Sequence, residues 1–151
     1  MSCRLRLLLR CSYLTVSAGK GTVAVAAVDT STGKLLRTYT EEAPSDEVVG
    51  LMWDAANGTL VGVMPSDTAA GLDLRTLDPS TGVWASRLVQ TKYAYLGGNS
   101  GEVAAFDAAA RQLYVIAAAS SGGPPELVRV DVATATVSLA VPLGVVGLGQ
   151  G

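Results

Sequence analysis

Three aspartates constrain this chain more than any other feature. Asp29, Asp78 and Asp131 lie 49 and 53 residues apart, and each closes an apolar stretch of alternating character: TVAVAAVD, GLDLRTLD and ELVRVD. Alternation with period two puts successive side chains on opposite faces of a β-strand, so Leu72, Leu74 and Thr76 share one face and Asp73, Arg75 and Leu77 the other. Three residues after each aspartate comes a threonine, Thr32, Thr81 or Thr134, followed by Gly33, Gly82 or Ala135. An aspartate opening a turn accepts the backbone amides just ahead of it, and a glycine closing the turn takes the left-handed conformation. Each copy therefore reads as a β-hairpin. Ala135 stands where the other copies have glycine, which predicts a different or a strained third turn.

A second series keeps step with the first. Trp53-Asp54 precedes Asn57-Gly58-Thr59-Leu60-Val61, and Phe106-Asp107 precedes Arg111-Gln112-Leu113-Tyr114-Val115, with the two aspartates again 53 residues apart. Two markers with one period predict repeated units of about 50 residues, each carrying four short strands. In the second unit these fall at 48–53, 59–64, 72–77 and 83–89, and in the third at 102–106, 112–117, 126–130 and 137–141. The first unit is worn: 22–28 and 34–40 are clear, 13–17 fits a preceding strand, and 5–9 is a weak first one. The chain divides into 1–42, with 1–12 as a candidate targeting segment, then 43–95, 96–143 and a tail, 144–151. In that tail Val145-Val146-Gly147-Leu148 echoes Val48-Val49-Gly50-Leu51, as if a fourth unit began there.

Composition narrows the functional classes. With 49% apolar and 16% charged residues, and a net charge of −2, the chain suits buried sheet and offers no basic surplus for phosphate contacts, so nucleic acid is not an expected partner. No run reaches the roughly 18 apolar residues of a membrane span. Histidine is absent and Cys3 and Cys11 are the only cysteines, which excludes Ser-His-Asp and Cys-His catalysis from this chain alone. The two cysteines read as small unpaired residues, with a disulfide as the alternative. Arg4, Arg6, Arg10 and Lys20 all precede the first acid, Asp29, which leaves organelle targeting or secretion open beside a plain basic first strand; Arg10 cuts short the apolar centre a secretory signal needs.

Four antiparallel strands recurring at this period resemble the blades of a β-propeller. Asp29-Thr30-Ser31-Thr32-Gly33 and Asp78-Pro79-Ser80-Thr81-Gly82 resemble the Asp-x-x-Thr-Gly turn of quinoprotein-like (PQQ-type) and YVTN-type blades. The resemblance implies an all-β fold, a partial β-propeller of about three four-stranded antiparallel blades; a β-sandwich is the rival arrangement. The motif specifies a turn, so no cofactor and no catalytic residue is carried over with it. Propellers close rings of about four to eight blades, and three would leave two apolar faces open. The expectation is a fragment of a larger propeller or half of a dimeric ring, meeting a protein partner or a second copy through those faces.

In such an arrangement the loops joining second to third strands, and blade to blade, lie on one ligand-facing end. They supply Lys20, Asp67, Thr68, Ser120, Ser121 and Glu126, and between blades Glu41, Glu42, Asp46, Glu47, Lys92, Tyr93, Tyr95 and Asn99. The acids from Glu41 to Glu47 suggest a hard cation, but Pro44 and Ser45 favour a solvated loop, and no metal site is assigned. Tyr93 and Tyr95 would stack on a flat ligand or, at period two, simply pack. Asn57-Gly58-Thr59 is a hairpin turn before it is a glycosylation sequon, and the glycines of 144–151 lack the helix and lysine of a nucleotide loop. Asp29, Asp54, Asp78, Asp107 and Asp131, with Thr32, Gly33, Thr81, Gly82 and Thr134, are assigned to turn structure, since a feature built once per repeat argues for geometry rather than catalysis. The functional expectation is a non-catalytic binding or scaffold module. The alternative is part of a propeller enzyme, a quinoprotein-like dehydrogenase, lyase or hydrolase, whose site needs further blades.

Overall fold

The computed structural model describes residues 11–17, 22–42, 48–66, 71–96, 104–119 and 121–143. The described residues form strands and turns with no helix, so the chain is all-β. In order the strands are β1 (Cys11–Ser17), β2 (Thr22–Asp29), β3 (Leu35–Glu42), β4 (Val49–Asp54), β5 (Thr59–Pro65), β6 (Gly71–Asp78), β7 (Val83–Gln90), β8 (Tyr93–Leu96), β9 (Ala104–Asp107), β10 (Gln112–Ala119), β11 (Glu126–Asp131) and β12 (Thr136–Pro142). They make three antiparallel sheets: β1-β2-β3, then β4-β5-β6-β7, then β12-β11-β10-β8, with β9 also paired to β10. The expected strand at 5–9 and the tail at 144–151 lie outside the described residues.

The aspartate turns shape each hairpin. Asp78 Oδ1 accepts the amide and the hydroxyl of Ser80 at 2.8 and 2.7 Å, and the amide of Gly82, at φ +80°, donates to the Asp78 carbonyl at 2.7 Å. Asp29 repeats the pattern through Ser31 at 2.8 and 2.6 Å, with Gly33 at φ +69°. At the third copy the Ala135 amide still reaches the Asp131 carbonyl at 2.8 Å, and Ala135 is held at φ +57°. The turn has kept its shape and accepted a left-handed alanine, a strain of about 1 kcal/mol or more.

The second sheet has an apolar neighbour on each face. Val61, Val63, Leu72, Leu74 and Val89 pack with Leu113, Val115, Ala117, Val128 and Val130 of the third sheet. From the opposite face Leu60 and Leu77, flanked by Trp53 and Trp84, meet Val25, Ala27 and Tyr39 of the first. Consequently β5 is buried from Leu60 through Met64, whereas β10 alternates between buried Leu113, Val115 and Ala117 and half-exposed Gln112, Tyr114 and Ile116. Each such aliphatic side chain removed from water contributes on the order of 1.5–3 kcal/mol, which makes these two layers the main source of stability. The far faces differ: Leu14 of the first sheet and Leu139 and Val141 of the third are 52%, 39% and 43% exposed.

One contact recurs at both layers. Tyr39, on the last strand of the first sheet, donates its hydroxyl to the Pro79 carbonyl at 2.9 Å, in the aspartate turn of the second sheet, where Arg37 Nη2 also reaches the Thr81 carbonyl at 3.5 Å. Arg87 on β7, opposite Leu74 as Tyr39 is opposite Val25, donates from Nη1 to the carbonyls of Val132 and Ala133 at 3.3 and 2.9 Å, in the aspartate turn of the third.

Two expectations shift. Glu41 and Glu42 belong to the end of β3 rather than to a loop, because β2 pairs onward to Thr22↔Glu42. Tyr93 and Tyr95 sit in a strand, β8, which straddles the division expected between residues 95 and 96 and pairs with the third sheet. There β8 covers Ala117–Ala119 of β10 and β9 covers Gln112–Val115. The single first strand expected at 102–106 is thus accompanied by a second segment, and the sequence between them, Gly97-Gly98-Asn99-Ser100-Gly101, has no alternating apolar pattern.

Candidate functional site

The end of the sheets carrying the β5–β6 and β7–β8 connections brings together three of the residues singled out from sequence. Glu126 opens β11 on the same strand face as Val128, directed at the second sheet, while Lys92 and Tyr93 stand at the start of β8 on the far side of β10. Lys92 Nζ donates to Glu126 Oε1 at 2.7 Å, and the Tyr93 hydroxyl donates to Glu126 Oε2. The Tyr93 ring is buried, and Lys92 Nζ lies 5.2 Å from its centre. The Lys92 hydrogen bond, then that of Tyr93, holds the Glu126 carboxyl below its usual range. The same carboxylate raises Lys92, and burial followed by the Glu126 bond raises the Tyr93 phenol. Both carboxylate oxygens are engaged, so the cluster fixes β8 against β11 and displays one lysine at the surface.

A second cluster lies between the first and second sheets. Arg75 donates from Nη1 to Glu41 Oε1 at 3.0 Å and lies 3.6 Å from Asp73 Oδ2 through Nη2. Arg75 and Asp73 are buried, and the Arg75 Nε has no partner among the described residues. Asp73 and Glu126 are 53 residues apart, the same place in successive units, while Arg75 corresponds to Val128. Sequence reasoning put Glu41 in a solvated loop and gave Asp73 and Arg75 no role. The available signal was their position beside Leu77 on a strand face that is otherwise apolar, where buried charges must be paired.

The remaining candidates do not converge among the described residues. Glu42 is exposed at the end of β3 and Ser121 is exposed in the turn before β11. Tyr95 pairs with Ala118 in β8. Lys20, Asp46, Glu47, Asp67, Thr68, Asn99 and Ser120 lie outside the described residues. Among the described residues no group of three or more Cys, Asp and Glu side chains is arranged to hold a metal ion, and no helix is long and apolar enough to cross a membrane.

At the opposite end the aspartates are occupied by turns. Hydrogen bonds from the Ser31 hydroxyl and amide hold Asp29 below the usual carboxylate range, the Ser80 hydroxyl does so for Asp78, and the Thr134 amide leads for Asp131. Thr32 and Thr81 accept the amides of Lys34 and Val83 at 3.4 and 3.2 Å, and Thr134 shares a hydroxyl bond with Thr136. Asp107 is exposed, taking the amides of Ala109 and Ala110 at 2.9 and 3.0 Å. Asp54 differs in being only 1% exposed. Its Oδ1 accepts the Ala56 amide at 3.1 Å, and its Oδ2 accepts Asn57 Nδ2 at 3.1 Å and Arg111 Nε and Nη2 at 3.2 and 2.9 Å. Arg111 belongs to the third sheet, so this carboxylate joins two sheets as well as shaping its own turn.

Comparison with known proteins finds no matching family model and no matching curated protein.

Proposed function

We propose that this chain is a non-catalytic binding or scaffold module of the β-propeller type, its three sheets being successive blades. The observation that carries the reading is the second sheet, packed on both faces and joined on each side by a last-strand side chain that reaches the carbonyl just after the next turn's aspartate, Tyr39 to Pro79 in one layer and Arg87 to Val132 in the other. A repeated sheet-to-sheet contact is what radial repetition requires, since each blade must meet its neighbours in one way. The exposed Leu14, Leu139 and Val141 then mark faces on which further blades pack, from a second copy or from a longer chain. The end carrying Lys92, Tyr93 and Glu126 presents the connections between strands and blades, the surface on which such a module meets its ligand.

The test is the solution mass of the purified chain by light scattering, with circular dichroism on the same peak. A β-rich species of twice the monomer mass is expected if three and three blades close a ring. Association without a defined mass supports open blade faces that need a longer chain. A cooperatively folded monomer that stays monomeric at high concentration overturns the reading.

A further inference from the structure

The two layers between sheets differ at their turn ends, and the difference opens a cleft. In the first layer Tyr39 fills the space: its buried ring lies 4.8 Å from the Arg37 guanidinium, and its hydroxyl donates to the Pro79 carbonyl at 2.9 Å. In the second layer the matching place, opposite Leu74 as Tyr39 is opposite Val25, is taken by Arg87, whose guanidinium rather than a ring reaches the turn. A cleft of about 390 Å³ lies there between the second and third sheets, with Arg87, Arg111, Asn57, Thr59 and Thr76 around it and Leu74 contributing an apolar wall. Arg111 is itself particular to this layer, because the corresponding residue of the preceding unit is Gly58.

The lining contains two guanidiniums and no carboxylate. Arg111 spends Nε and Nη2 on Asp54, which balances its charge and leaves Nη1 without a protein acceptor among the described residues. Arg87 spends only Nη1, on two carbonyls, so its Nε and Nη2 donate to no described residue and its charge meets no carboxylate there. One positive charge therefore remains in a concave site that also offers the Asn57 amide and two threonine hydroxyls. We propose that this cleft binds a small ligand through an oxyanion, a carboxylate or phosphate group, taken by Arg87 and Arg111. A guanidinium presents paired donors that match such oxygens, the hydroxyls supply further donors, and Leu74 receives the apolar body of the ligand. The volume falls within the range of about 300–1,000 Å³ usual for small-molecule sites. The proposal does not depend on the propeller reading, because it needs only the second and third sheets.

The experiment is a titration of the isotope-labelled chain with inorganic phosphate and, separately, with succinate at low ionic strength, following the arginine Nε–H resonances. Saturable shifts at Arg87 and Arg111 are expected, with Arg37 unmoved. Tighter binding of phosphate or of succinate decides which oxyanion the cleft prefers. Arg87→Gln should weaken binding at least tenfold and Thr76→Val severalfold, whereas Arg37→Gln, which alters a guanidinium in the layer without the cleft, should leave it unchanged. Backbone spectra of each variant report whether the fold is kept, and the threonine variant supplies the answer if an arginine variant unfolds. Absence of saturable shifts with both anions, or equal binding by folded Arg87→Gln, overturns the proposal.

Discussion

Asp54 and Asp107 occupy the same place in successive units, yet replacing each by asparagine should have very different costs. Asparagine keeps one oxygen for the turn amides, so Asp107→Asn, at an exposed turn, should change stability by no more than about 0.5 kcal/mol. In Asp54→Asn the new amide group confronts the donors of Asn57 and Arg111 inside a nearly water-free site. Hydrogen bonds to charged groups are worth about 1.5–3 kcal/mol, and removing one partner of a buried pair costs about 3–5 kcal/mol. The Arg111 side chain is 26% exposed, which lets water take part of its charge and places the expected loss nearer 2–3 kcal/mol. Arg111→Met, which strands the Asp54 carboxylate, should cost a similar amount, and the double variant should lose at least about 1 kcal/mol less than the two single losses added together. Urea unfolding at fixed protein concentration, followed by tryptophan fluorescence and circular dichroism, measures all four variants. Asp54→Asn falling within 0.5 kcal/mol of Asp107→Asn would refute the claim that Arg111 and Asp54 join the second and third sheets.

Other substitutions test separate parts of the account. Ala135→Gly relieves the one aspartate turn that closes on a left-handed alanine and should stabilise the chain by about 0.5–1 kcal/mol; a lower urea midpoint would contradict it. Asp29, Asp78 and Asp131 have folded-state values below the unfolded value of about 3.9, so their contribution is present above that pH and is lost as pH falls through the depressed values. Stability measured from pH 6 down to 2 should therefore decline below about pH 4, and Asp78→Asn should flatten the decline. On the alkaline side the raised Lys92 and Tyr93 give stability that is full below about pH 10 and lost as pH rises through their folded values; Glu126→Gln should remove the Lys92 share and leave the share of Tyr93 that comes from burial. Leu139→Ser with Val141→Thr makes the outer face of the third sheet polar and should weaken self-association at least tenfold by sedimentation, whereas unchanged association would exclude that face as the contact.

The hairpins were legible because their causes are local. Alternating apolar residues, an aspartate and a glycine lie within a dozen positions of each other, and the strands expected in the second unit match β4 to β7 to within one or two residues. The strain at Ala135 was legible for the same reason. β8 was not, since Tyr93-Ala94-Tyr95-Leu96 is too short to announce which sheet it joins, and its partner is decided by β10 some twenty residues later. The ion pairs were not legible either. Arg75 meets Glu41 across 34 positions and Arg111 meets Asp54 across 57, distances over which sequence shows residue types but not proximity. The cleft emerges only when Arg87 is set beside Tyr39, its counterpart in the stacked sheets.

The stacking order itself is best tested by methyl NOEs in the folded chain. Leu60 and Leu77 should show NOEs to Val25 of the first sheet, and Val63 and Leu74 to Val115 and Val128 of the third, because the second sheet lies between its neighbours. NOEs from Leu60 or Leu77 to Val115 or Val128 would place both neighbours on one face of the second sheet and contradict the account.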